Sequence, residues 1–310
     1  MYSRRVPDRS VRTLTSMVLL LAASASFGRG VLPTTSALAQ ATIECAPAAS
    51  PAAATPAAAA TPVMGAAPVA FPAEGELTIF AAASLTEAFD QIIADIEAAN
   101  PGITIEEPNY AGSQALVTQL SEGAEADVFA SASGRQMTVA VENGVIAGEP
   151  VNFTRNRLAI VVPTGNPAGI DGVEDLGQDD LKLVLALPDV PVGHYAREAV
   201  CKAGADAATY SAGFVDAVAG NIVSEEDNVK AVLAKVQLGE ADAGVVYTTD
   251  VTEDVAVTVI QIPQAVNVDA RYPIAPVVDG DEVLAAAFIA YVLGPDGQAT
   301  LRSFGFEPMP

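Results

Sequence analysis

From Glu76 to the C-terminus, short apolar runs alternate with longer amphipathic ones, and this rhythm restricts the chain to an α/β architecture. Residues 77–82 are strand-like. After them Leu85, Ala88, Phe89, Ile92, Ile93, Ile96 and Ala99 recur at helical spacing until Asn100-Pro101-Gly102 ends the run. The cycle repeats, with strand at 103–106, helix at 114–122, strand at 126–131 and helix at 135–142 ending near Gly144. Further strands are expected at 158–162, 181–186, 243–247 and 255–260, and helices near 194–203, 228–238 and 281–293. Elements of these lengths predict parallel or mixed sheets covered by helices on both faces. The apolar run 284–293 is far too short to cross a bilayer and is expected to pack on a sheet.

Two segments of different character precede this part. Arg4, Arg5, Arg9, Arg12 and Arg29 flank the apolar stretch 17–27, which runs toward the small residues Ala37-Leu38-Ala39. Residues 1–39 therefore read as a signal peptide cleaved before Gln40, and the mature protein as exported, to the periplasm or the outer face of the cytoplasmic membrane. Arg4-Arg5 leaves the twin-arginine route open, although Pro7 and Asp8 stand where that signal favours apolar residues. Residues 40–75 are almost all Ala, Pro, Thr, Ser and Val, the composition of a disordered linker. At roughly 3 Å per residue such a tether reaches about 100 Å. Cys45 leaves lipid attachment open, against a poor lipoprotein match in Thr42-Ile43-Glu44. Cys45 and Cys201 are the only cysteines, too few for a disulfide framework or a cysteine metal site. With one in a tether and the other in a helix-like segment, a bridge between them is disfavoured.

The formal net charge is −23, and loss of the basic leader leaves the mature chain more acidic still. Nucleic acid and acidic lipid surfaces are poor partners for such a chain. One histidine, two distant cysteines and scattered carboxylates give no metal-ligand cluster. His194 lacks the nucleophile and orienting carboxylate that catalysis would need, and it reads as a surface residue at a helix start. No catalytic residues are assigned.

Four strand-to-helix junctions remain as candidate sites. In Ala83-Ser84-Leu85-Thr86-Glu87, Ser84 and Glu87 have capping-box spacing. Ala111-Gly112-Ser113-Gln114 is a second junction, where Gly112 permits close backbone approach and Ser113 can begin a helix. Pro191-Val192-Gly193 and Asp227-Asn228-Val229 open two more. A helix N-terminus favours an anion through its unpaired N–H groups and its dipole. Four such starts are ordinary in an α/β protein, so spacing alone does not decide function.

Five separated motifs carry a more specific signal. Leu77-Thr78-Ile79-Phe80-Ala81-Ala82-Ala83-Ser84-Leu85, Tyr110-Ala111-Gly112-Ser113, Ala126-Asp127-Val128-Phe129-Ala130-Ser131-Ala132, Pro191-Val192-Gly193-His194-Tyr195-Ala196 and Gly244-Val245-Val246-Tyr247 resemble, in order, the periplasmic molybdate-binding proteins of molybdate ABC transporters. The resemblance covers residues 76–310. It implies a two-lobed periplasmic-binding-protein fold of type II, each lobe a mixed sheet flanked by helices. Lobe I would combine 76–156 with 273–310, and lobe II would span 157–272, with two chain crossings as hinge. It also implies a monomer that captures molybdate or tungstate between its lobes and delivers the oxyanion to a membrane permease, with no cofactor and no reaction. The ligand set so implied is neutral: the hydroxyls of Ser84, Ser113 and Tyr247, and backbone amides that include Val192 and Val229. Molybdenum would enter only as the oxyanion, with no direct protein ligand to the metal. Val192 stands where alanine is common, and Asn228 reads as an extra residue ahead of Val229.

The acidic balance does not forbid an anionic ligand. A charge 20 Å away contributes only about 0.2 kcal/mol in water, and salt screens it further, whereas each charge-assisted hydrogen bond contributes roughly 1.5 to 3 kcal/mol. A proton-free dianion needs only donors, while phosphate carries protons near neutral pH and benefits from an acceptor. Sulfate or another small anion remains the alternative ligand, and an extracellular enzyme acting on a small anion the alternative class.

Overall fold

A computed structural model describes residues 41–45, 69–252 and 255–310. The expected signal peptide and most of the expected linker lie outside the described residues.

The strands sort into two five-stranded mixed sheets and one small pair. The pair joins β1 (Gly75–Leu77) to β3 (Ile103–Ile105) in parallel. The first large sheet has the order β4-β2-β5-β12-β6, from β2 (Ile79–Ala82), β4 (Asn109–Ala111), β5 (Val128–Ala130), β6 (Val151–Asn156) and β12 (Ala270–Pro276). Its first three strands run parallel, and β12 is antiparallel to both neighbours. The second has the order β11-β7-β10-β8-β9, from β7 (Leu158–Pro163), β8 (Leu183–Ala186), β9 (Ile222–Glu226), β10 (Ala243–Tyr247) and β11 (Val257–Gln261). There β10, β8 and β9 are parallel.

Helices cover these sheets as the apolar spacing predicts. Around the first sheet lie α1 (Thr86–Ala99), α2 (Ser113–Ser121), α3 (Gly134–Glu142), α7 (Glu282–Leu293) and α8 (Pro295–Ser303). Around the second lie α4 (Pro191–Ala205), α5 (Phe214–Gly220) and α6 (Val229–Gln237). In α1, Phe89, Ile92, Ile93 and Ile96 are buried, the face read from spacing. Helix α7 buries Leu284, Ala285, Phe288 and Val292, and no described helix is long and apolar enough to cross a membrane.

The chain passes between the sheets twice. Arg157 alone separates β6 from β7, and residues 262–269 return the chain from β11 to β12. Asn267 ties the two passages together: its Oδ1 accepts from Leu158 N–H at 3.1 Å and its Nδ2 donates to the Leu158 carbonyl at 2.9 Å. The return passage ends at Ala270, ahead of residue 273, so Tyr272 belongs to the first sheet.

Two expectations are corrected here. The linker does not extend to residue 75: Phe71 packs on Tyr291, with ring centroids 6.4 Å apart, and Gly75 pairs with Ile103. Cys45 and Cys201 form a disulfide, with Cα atoms 5.4 Å apart. Residues far apart in sequence meet because Ile43 packs against the core and holds the 41–45 segment beside α4. The same bond removes lipid attachment at Cys45, since its sulfur is already committed.

Candidate functional site

The parallel strands of both sheets direct their C-terminal ends at one cleft, the place where open α/β sheets bind ligands. After β2, the chain makes a 3-10 turn, Ala83–Leu85, that carries Ser84. After β4, Gly112 leads into α2, whose first residue is Ser113. After β8 comes α4, with Pro191 and Val192 in its opening turn; after β9, Asn228 caps α6, which begins at Val229. Tyr247 ends β10. Ser84, Ser113, Val192, Val229 and Tyr247 all line this cleft, a narrow site with a cavity volume of about 10 Å³. Ser84, Ser113 and Tyr247 are 4%, 1% and 1% exposed, so their hydroxyls have little water to turn to.

The chemistry of the lining is uniform. Backbone, small apolar side chains, two serines, one asparagine and one tyrosine make it up, with no charged side chain among the described residues. The 3-10 turn, α2 and α4 all begin without a side-chain cap, so their first N–H groups are left to the cleft. At α6 the Asn228 side chain takes only the N–H of Ala231, at 3.0 Å. Among the described residues the buried Tyr247 hydroxyl has no hydrogen-bond partner, and burial pushes its pKa well above the usual phenol value. Such a group stays protonated and available to donate.

The expected capping box at Ser84 and Glu87 is absent. The Ser84 hydroxyl instead meets the Tyr272 hydroxyl at 2.9 Å, and Glu87 pairs with Lys230 Nζ at 2.6 Å. Glu87 is drawn away because a lysine from the other sheet's helix is a stronger partner for its carboxylate than an amide. Gly112 does serve close approach: a Cβ there would lie 2.4 Å from the Asp227 carbonyl oxygen. Contacts across the cleft continue in Gln114 Nε2, donating to Asp227 O at 2.9 Å, and Gln136 Nε2, donating to Asp189 O at 2.7 Å.

Sequence reasoning missed the layer behind the cleft. Tyr272, Asn156, Thr249 and Asp250 are buried there, and the N–H of Ala132 donates to Ser113 Oγ at 3.0 Å. None carries a local motif; only the return of β12 to the first sheet brings Tyr272 to Ser84. His194 lies outside this lining and is half-buried rather than on the surface, and burial lowers its pKa.

With this geometry, the comparisons with known proteins become decisive. The bacterial extracellular solute-binding protein family matches residues 77–307. The chain belongs to that family. As a solute-binding protein it is 38% identical over 239 residues to the molybdate-binding protein ModA of Mycobacterium tuberculosis, covering 76% of this chain and 86% of that one. The periplasmic molybdate-binding protein of Azotobacter vinelandii superposes with a TM-score of 0.64 at 16% identity, covering 76% of this chain and 99% of that one. The sulfate-binding protein SubI of Mycobacterium tuberculosis gives 0.65 at 18% identity, covering 76% and 88%. At those identities the two structures establish the shared fold of this solute-binding protein, the two-lobed type II arrangement.

Proposed function

We propose that this protein captures molybdate or tungstate between its lobes and presents it to the membrane permease of an ABC transporter. One observation carries the reading: uncapped helix starts and the hydroxyls of Ser84, Ser113 and Tyr247 converge on a buried cleft lined by no charged group. That donor set suits a proton-free tetrahedral dianion. The similarity to a protein named for molybdate binding supports the choice of ligand. Ser84, Ser113 and Tyr247 would donate through hydroxyls, and Val192 and Val229 through backbone N–H groups. Closure brings donors from both lobes onto one ligand, and the affinity gained on closing shifts the population toward the closed form. The protein works as a monomer outside the cytoplasm, without a cofactor and without turnover.

Calorimetric titration with molybdate, tungstate, sulfate and inorganic phosphate tests the proposal. Tight 1:1 binding of the first two is expected, with weak or no binding of the others. Sulfate binding of comparable strength would assign the cleft to that ligand instead.

A further inference from the structure

A serine hydroxyl can donate or accept, so a cleft that takes only proton-free anions needs something that sets the direction of its serines. The layer behind Ser84 contains such a device. Asn156 Oδ1 accepts from the N–H of Arg157 at 2.9 Å, and that group can only donate. Its amide orientation is thereby set, and Asn156 Nδ2 faces Thr249 Oγ1 at 2.7 Å and the Tyr272 hydroxyl at 3.4 Å. With its oxygen facing that amide N–H, Tyr272 is placed to send its own proton to Ser84 Oγ, 2.9 Å away, a contact in which either oxygen can be the donor. Tyr272 is fully buried, and burial drives its pKa well above the phenol range, which keeps that proton in place. With its oxygen engaged, Ser84 has its O–H left for the cleft. Ser113 is set in the same sense by the N–H of Ala132.

We propose that Asn156 and Tyr272 are positioning residues that orient the Ser84 O–H toward the cleft as a donor, and so make the cleft discriminate against oxyanions that carry a proton. The inference rests on the oxyanion reading of the site and adds to it the source of its selectivity. Neither residue touches the ligand; both act through Ser84. Removing the Tyr272 hydroxyl removes the group that orients the Ser84 O–H and lets the serine turn to accept from a protonated guest.

The test is a double-mutant cycle on the whole protein, read by calorimetry with molybdate and by competition with inorganic phosphate. Tyr272→Phe is expected to weaken molybdate about tenfold and to make phosphate a better competitor. In a Ser84→Ala background the same change should cost less than about twofold, because its effect is routed through the serine. A general packing defect would weaken both backgrounds alike and leave the phosphate competition unmoved, and that result overturns the proposal. Unchanged molybdate affinity in Tyr272→Phe overturns it as well. Should Tyr272→Phe fail to fold, Asn156→Asp replaces the donor facing Tyr272 by an acceptor and is expected to weaken molybdate in the same Ser84-dependent way. Failure of the unaltered protein to bind molybdate would strike the oxyanion reading itself and is separable from these outcomes.

Discussion

Asp250 shows how far a residue's neighbours, rather than its type, set its behaviour. It is 1% exposed, accepts from the N–H of Tyr247 at 2.9 Å, and lies 3.6 Å from Lys230 Nζ. Burial raises its pKa to about 6, against the opposing pull of Lys230 and the Tyr247 amide. The folded protein therefore holds this proton more tightly than the unfolded chain does. The associated stability is fully present below pH 3.8 and is lost as pH rises through about 6. Asp250→Asn should gain stability relative to the unaltered protein across that window, on the order of 2–3 kcal/mol, and denaturant unfolding at several pH values reads this directly. Equal pH dependence of the two proteins would show that Asp250 is not the titrating group. At the same scale, Ser113→Ala removes a hydroxyl whose acceptor side is already met by Ala132, and should weaken molybdate by about 1 to 3 kcal/mol in calorimetry. Ser84, Ser113 and Tyr247 were legible as candidates because each sits in a recognisable motif. Tyr272 was not, because Arg271-Tyr272-Pro273 reads as nothing in particular until its strand finds its neighbour.

Among the elements, strong periodicity made helices such as α1 and α6 readable, while strands with weak apolar patterns escaped. Strand β12 contains Pro273 and Pro276, which argue against a central strand, yet it lies between β5 and β6. The pairing tolerates this because the register slips between Tyr272 and Pro273, where the missing N–H falls at the irregularity. Strand β6 alternates polar and apolar residues over only its first few positions, and β9, Ile222-Val223-Ser224-Glu225-Glu226, does not alternate at all, so neither registers beside the helices. The turn from β4 into α2 offers a sharper test. Gly112 lets the first lobe meet the Asp227 carbonyl of the second, and Gly112→Ala would put a Cβ 2.4 Å from that oxygen. Closure should suffer while each lobe keeps its own packing. We expect molybdate affinity to fall at least about tenfold with the thermal midpoint of the unliganded protein nearly unchanged; a matching loss of thermal stability would instead make Gly112 a folding residue.

For the molecule as a whole, the Cys45–Cys201 bridge adds a covalent link that neither hinge passage provides, joining the segment ahead of the first lobe to α4 of the second. It spans 156 positions in sequence, and closing a loop of that size should stabilise the folded state by about 3 to 5 kcal/mol on the chain-entropy account. Paired Cys45→Ser and Cys201→Ser substitution, or reduction, should lower the thermal midpoint while leaving 1:1 molybdate binding in place, since neither cysteine lines the cleft; an unchanged midpoint would mean that the bridge constrains nothing. What the sequence determined by itself was read along the chain: strand and helix periodicity, the helix starts that can receive an anion, and the acidic balance that makes nucleic acid a poor partner. Folding over long separations decided the rest. Whether two cysteines meet, whether Glu87 caps its own helix or reaches Lys230, and which way the Ser84 proton points all depend on groups more than a hundred residues apart in the chain. Periodicity and caps are short-range and can be read along a line, whereas hydrogen-bond direction is set by whichever donors and acceptors the tertiary structure brings within 3 Å or so.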